Sequence, residues 1–177
     1  MSLLKKFLGL GNASTEAGAG ADGDTETVRR IASELDRLPP ENEKFLAAFA
    51  YVLARVAHAD LDIDAAETLE MERIATSVAS LSAAEAALVV QIAKSQARLL
   101  GETENYVVTR EFRNISTREQ RGKLLQCLFA VAAADDTISG VESAEIAAIG
   151  EELGFNRAEI NALRSVYRDK LSEFQNR

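Results

Sequence analysis

Two short stretches concentrate the carboxylates that could do chemistry in this chain. The first is Ala59-Asp60-Leu61-Asp62-Ile63-Asp64-Ala65-Ala66-Glu67 and the second is Ala134-Asp135-Asp136-Thr137-Ile138-Ser139-Gly140-Val141-Glu142. Carboxylate oxygens are hard ligands, suited to Ca²⁺, Mg²⁺ or Mn²⁺, and they also serve Zn²⁺. Asp60, Asp62, Asp64, Glu67, Asp135 and Glu142 are therefore the candidate ligands of a divalent metal ion, with Ca, Mg, Mn and Zn not distinguishable from sequence. Asp62 has Thr137 as its counterpart in the second stretch, so the first is the more acidic and the stronger candidate.

The same carboxylates also have a purely structural use. A Ser, Asp or Asn at a helix N-cap followed by Glu three residues later forms a capping box that satisfies orphan N–H groups. The pattern recurs at Asp64/Glu67, Ser82/Glu85, Ser116/Glu119, Ser139/Glu142 and Asn156/Glu159. Glu67 and Glu142 are thereby explained without a ligand. Asp60 and Asp135 differ, because each follows an apolar helix whose C-terminal end is already negative. Each asks for a positive partner, either the N–H cluster of the next helix or a bound cation. The alternation Asp60-x-Asp62-x-Asp64 invites comparison with a calcium EF-hand, but Ala65 stands where the loop needs Gly and Met71 where it needs Glu. Glu70 and Glu145, one turn further on, read either as additional ligands or as solvated face.

Other chemistry is poorly provided for. His58 is the only His and reads as a part-buried helix residue, and Cys127, the only Cys, reads as core packing. The sequence contains no Gly-rich phosphate loop and no Cys/His cluster. Arg110, Arg113, Arg118, Arg121 and Lys123 read as solvated charge, with a partner-docking ridge as the lesser alternative. The expectation is a non-enzymatic protein.

The elements that position the acidic stretches are helical. Val28, Ile31, Leu35 and Leu38 line a helix that Pro39-Pro40 ends. A helix over about 41–58 points Phe45, Phe49, Val52, Leu53 and Val56 inward and is apolar enough to be central. Further helices run from Asp64 to about Ala79 on Leu69, Ile74 and Val78, and from Ser82 to Leu100 on Leu88, Val89, Ile92 and Leu99. A helix around Tyr106, Val107 and Phe112 follows, then one over 117–134 on Leu124, Leu125, Leu128 and Val131. One more begins at Ser139, and a last carries Ile160, Leu163, Val166 and Leu171. No stretch alternates with period two, so the predicted fold is all-α.

Residues 75 apart match: Leu53 with Leu128, Asp60 with Asp135, Ile63 with Ile138, Glu67 with Glu142, Glu70 with Glu145 and Ile74 with Ile149. The spacing then becomes 74, pairing Ala84-Glu85 with Ala158-Glu159 and Ile92 with Val166. This predicts a single bundle of about seven to eight helices built from two pseudo-two-fold-related repeats, about 41–100 and 117–174, joined by a connector over 101–116. The whole helical domain is expected over 25–177. Ahead of it, 1–10 form an amphipathic hook with Leu3, Leu4, Phe7 and Leu8 on one side, and 11–24 a flexible linker.

A chain of 177 residues with 47% hydrophobic and 27% charged residues suits one soluble domain. A net charge of -8 opposes nucleic-acid binding, which needs a concentrated positive face. Protein partners or a metal cation fit that field better. One Cys fits a reducing cytoplasm, no run approaches the ~18 apolar residues of a membrane span, and the first ten residues lack a signal peptide's features. The location expected is cytoplasmic, with peripheral membrane contact through 1–10 as the option left open.

The duplicated turn Ala-Asp-x-x-Ile-x-x-x-Glu resembles the TerB-like family, which includes the tellurite resistance proteins and the N-terminal region of the DjlA co-chaperone. The likeness extends over about 26–171 and includes Glu151-Glu152-Leu153-Gly154-Phe155 with Ala158-Glu159, and the segment from Glu104 to Ser116. The resemblance implies an all-helical cytoplasmic domain of two repeats linked to membrane-associated stress response. It also implies metal binding through the acidic turns, here Asp60, Glu67, Asp135 and Glu142. This sequence departs from the family at Leu61 and Asp136, where glycine is usual.

Overall fold

Pro39-Pro40 sets the start of the central helix, α1 (Pro40–Ala57). Pro40 occupies its first position, where a missing N–H leaves no bond unmade. Glu41 and Glu43 in the first turn and Arg55 in the last complement the helix dipole. Every residue from Leu46 to Ala54 is buried, the pattern of a helix enclosed on all sides. A computed structural model describes residues 29–30, 33–34, 36–57, 65–97, 105–134 and 136–175. The hook and linker over 1–24, His58, and the candidate ligands Asp60, Asp62, Asp64 and Asp135 lie outside the described residues.

After α1 come α2 (Ala65–Ser77), α3 (Ala83–Ala97), α4 (Asn105–Ile115), α5 (Arg118–Ala132), α6 (Gly140–Glu152) and α7 (Arg157–Ser165). A 3-10 turn (Arg168–Lys170) and a last helical turn, α8 (Ser172–Gln175), complete the described chain. The fold is all-α, and no strand occurs among the described residues. Helix α1 packs against α3, α4, α5 and α6, while α5 in turn meets α2, α6 and α7. Phe45, Phe49 and Phe112 join α1 to α4, the rings of Phe45 and Phe112 lying 5.3 Å apart. No helix among the described residues is long and apolar enough to cross a membrane.

Several helix boundaries keep the spacing read from the sequence. α1 and α5 end at Ala57 and Ala132, α2 and α6 begin at Ala65 and Gly140, and α3 and α7 begin at Ala83 and Arg157. Packing does not keep it everywhere. Ile92 is buried at 1% exposure, whereas Val166, its counterpart, is 71% exposed. The expected last helix through Leu171 stops instead at Ser165, where Val166 N–H and Tyr167 N–H donate to carbonyls three residues back and tighten the chain. Tyr167 then stacks on Phe129, with 6.0 Å between ring centroids.

Three other expectations are corrected. Leu69 faces solvent, because Met71, Ile74, Ala75 and Val78 form the inward stripe of α2 and its immediate continuation, and Leu69 lies two positions, about 200°, from Met71. Tyr106 and Val107 are exposed on α4, which turns Val108, Thr109 and Phe112 inward. The cap of α5 is Thr117 with Gln120, not Ser116 with Glu119. Ser116 Oγ bonds back to the Phe112 carbonyl at 2.5 Å.

Candidate functional site at the acidic turns

In the second turn the described carboxylates are already engaged. Ser139 caps α6: its Oγ accepts from Glu142 N–H at 3.1 Å, and Glu142 Oε2 accepts from Ser139 N–H at 2.8 Å. Both halves of the expected capping box are present, as they are at Ser82/Glu85 and Asn156/Glu159. Asp136 sits at φ +64°, a left-handed conformation that glycine adopts freely and Asp tolerates better than most residues. Its carboxylate pairs with the Lys170 ammonium, which holds it below the usual carboxylate range. The described part of this turn therefore does not fit a metal ion. Among the described residues no group of three or more Asp, Glu, His or Cys is placed to hold one.

Of the first turn only its helical end is described. Glu67 lies half-buried in the first turn of α2, and Lys94 Nζ on α3 donates to the neighbouring Thr68 Oγ1 at 2.9 Å. The two later glutamates are drawn elsewhere. Glu70 pairs with Arg73 on the same exposed helix face at 2.5 Å, and Glu145 turns toward α1.

That contact belongs to a polar cluster which the sequence reading did not anticipate. Arg55 is the lone charge in the C-terminal half of α1, with only 6% of its side chain exposed. Its guanidinium donates to Glu145 Oε1 at 2.7 Å, to Glu152 Oε2 at 2.8 Å and to Thr109 Oγ1 at 2.6 Å. Burial alone would lower its pKa, but the hydrogen bonds to Glu152 and Glu145 outweigh that effect and raise it. The arginine stays charged and joins α1, α4 and α6. A signal was present: an Arg inside an apolar helix, and two glutamates seven apart, two turns, along α6.

Of the five cations read as solvated charge, Arg113 and Arg121 serve the C-terminal end of α6, while Lys123 pairs with Glu119 on its own helix. Arg121 Nη1 donates to the Leu153 carbonyl at 2.9 Å, and Arg113 reaches toward that of Glu152. Arg118 pairs with Glu159 and lies 4.9 Å over the Phe155 ring. Gly154, at φ +90°, closes the helix, with Phe155 N–H donating back to the Gly150 carbonyl at 3.0 Å.

Fold and turns together define an acidic all-helical bundle that carries the Ala-Asp-x-x-Ile-x-x-x-Glu turn twice. The family model for tellurite resistance protein TerB matches residues 45–165, more than half of the chain, and the chain belongs to that family. No curated protein and no solved structure matches it significantly.

Proposed function

We propose that this chain is a non-enzymatic TerB-family module that takes a divalent cation at its first acidic turn, in a bacterial stress response of the tellurite type. The observation that carries the reading is the family match over 45–165, which spans the run of Asp60, Asp62, Asp64 and Glu67. Four carboxylates at alternate or helical spacing supply the hard oxygen donors that Ca²⁺, Mg²⁺, Mn²⁺ or Zn²⁺ requires. Asp135 and Glu142 hold matching positions in the second turn. The module acts in the cytoplasm, with residues 1–10 as its peripheral contact to a membrane.

Melting with each cation tests the reading. A ligand that binds only the folded state adds about 2.7 kcal/mol at 100 times its Kd, so one of the four cations at millimolar concentration raises Tm. Asp60→Asn with Asp62→Asn abolishes the rise. If none of the four moves Tm, and the double variant titrates like the parent, the cation reading is lost.

A second reading, a helical scaffold or co-chaperone-type interaction domain, is favoured by Tyr106 and Val107, both exposed on α4. It predicts that Tyr106→Ala with Val107→Asp abolishes partner capture while leaving Tm and cation response unchanged.

A further inference from the structure

We infer that the second acidic turn of this chain is the seat of its own C-terminal segment and not a second cation site. The inference rests on the proposed reading of such turns as cation sites, and separates the two copies. Residues 168–175 lie against the turn as a strap. Ile138 N–H donates to the Lys170 carbonyl at 2.7 Å and Ser172 N–H to the Ile138 carbonyl at 3.0 Å, forming a parallel bridge between Ile138 and Leu171. Both side chains are core, at 1% and 2% exposure.

The strap also supplies the turn's polar partners. Lys170 brings its ammonium to the Asp136 carboxylate. The Gln175 amide donates to the Asp136 carbonyl at 2.8 Å and to that of Asp169 at 3.3 Å, while its oxygen accepts from Thr137 Oγ1 at 2.8 Å. Among the described oxygens that a hard cation could take here, the Asp136 carboxylate and carbonyl and Glu142 Oε2 already have protein donors. Removing those donors would open the bridge beside two buried side chains.

The first copy lacks this chemistry in its sequence. At the spacing of 74 residues, Lys170, Leu171 and Gln175 correspond to Gln96, Ala97 and Gly101. None of the three offers a positive charge. The strap residues Lys170, Leu171 and Gln175 are therefore not repeated in the first copy, whose matching segment carries its cations at other positions, Lys94 and Arg98, and whose turn has Leu61 where the second has Asp136.

The test uses the full chain, ¹⁵N-labelled, with Mn²⁺ as a paramagnetic probe and amide hydrogen exchange as a second readout. Mn²⁺ is expected to leave the amide signals of residues 136–142 sharp. Lys170→Met with Gln175→Ala is expected to speed exchange at the Ile138 and Ser172 amides about tenfold, while α1 and α5 keep theirs. Should the double variant unfold, Gln175→Ala alone reads the same two amides. Broadening of 136–142 in the parent, or unchanged exchange in the variant, overturns the inference. The signals of 65–68 report separately on the first turn. If Mn²⁺ leaves those sharp too, the proposed cation function fails while the strap stands.

Discussion

Arg55 on α1 and Glu145 on α6 are 90 residues apart in the chain, yet Nε and Nη2 of the arginine both donate to Glu145 Oε1, at 2.9 and 2.7 Å. With Glu152 and Thr109 completing the set, every buried side-chain polar atom of this cluster has a partner. Helix α1 leads into the first acidic turn and α6 leaves the second, so this cluster fixes how the two turn-bearing helices sit against each other.

Arg55→Met keeps the volume and removes the charge, leaving two glutamates facing an apolar pocket. Breaking a buried pair destabilises by ~3–5 kcal/mol. Glu145 retains 36% of its side-chain exposure, so the expected loss is about 2–3 kcal/mol. Urea unfolding of parent and variant measures it, and a change under 1 kcal/mol would show the cluster to be dispensable.

Two helical glycines should respond oppositely to alanine. A Cβ on Gly122 meets only the Phe155 ring edge at 3.8 Å, so Gly122→Ala gains about 0.5–1 kcal/mol from helix propensity. On Gly150 it would lie 2.8 Å from Ile160 Cδ1 and 2.9 Å from Cγ1, in a packed core. Gly150→Ala therefore destabilises, by about 1–3 kcal/mol. Thermal melts of the two variants decide the sign of each.

Burial pushes the Cys127 thiol up from 9.0 to about 12. The unfolded chain therefore releases this proton first, and stability from this group is complete below pH 9 and declines as pH rises toward 12. The slope approaches about 1.4 kcal/mol per pH unit. Urea midpoints at pH 8, 9.5 and 10.5 should fall more steeply for the parent than for Cys127→Ala. Parallel curves would refute the assignment.

Glu159 has its pKa lowered by the Asn156 backbone N–H and then by Arg118. A depressed carboxylate stabilises the fold above its unfolded value and stops doing so as pH falls through its folded one. The difference in Tm between the parent and Glu159→Gln should thus be present at pH 7 and shrink at acid pH. A gap that does not change with pH would exclude the carboxylate charge as its source.

How much of this was legible in the sequence depends on the range of the interaction. Capping boxes at Ser82, Ser139 and Asn156 were legible, because donor and acceptor are three residues apart. The ends of α1 and α5 and the starts of α2 and α6 and of α3 and α7 follow the spacings of 75 and 74, since prolines, caps and apolar period act within a turn or two. The cap falls at Thr117, one residue past the expected Ser116, because both hydroxyls can equally accept an N–H three residues on.

The sequence by itself determined an all-α protein, most of its helix starts, the central place of α1 and the twice-used acidic turn of the TerB family. Local backbone preferences and one-dimensional periodicity are enough for that. Only the tertiary structure decided which carboxylates of the described turns are already used. Glu145 goes to Arg55 across 90 residues, and Asp136 goes to Lys170 across 34. A charge's partner is set by which surfaces the packed helices bring together, and that juxtaposition has no period along the chain. Leu69 and Val166 are apolar in sequence yet exposed, Leu69 because it lies off the inward stripe of its helix and Val166 because its helix stops at Ser165.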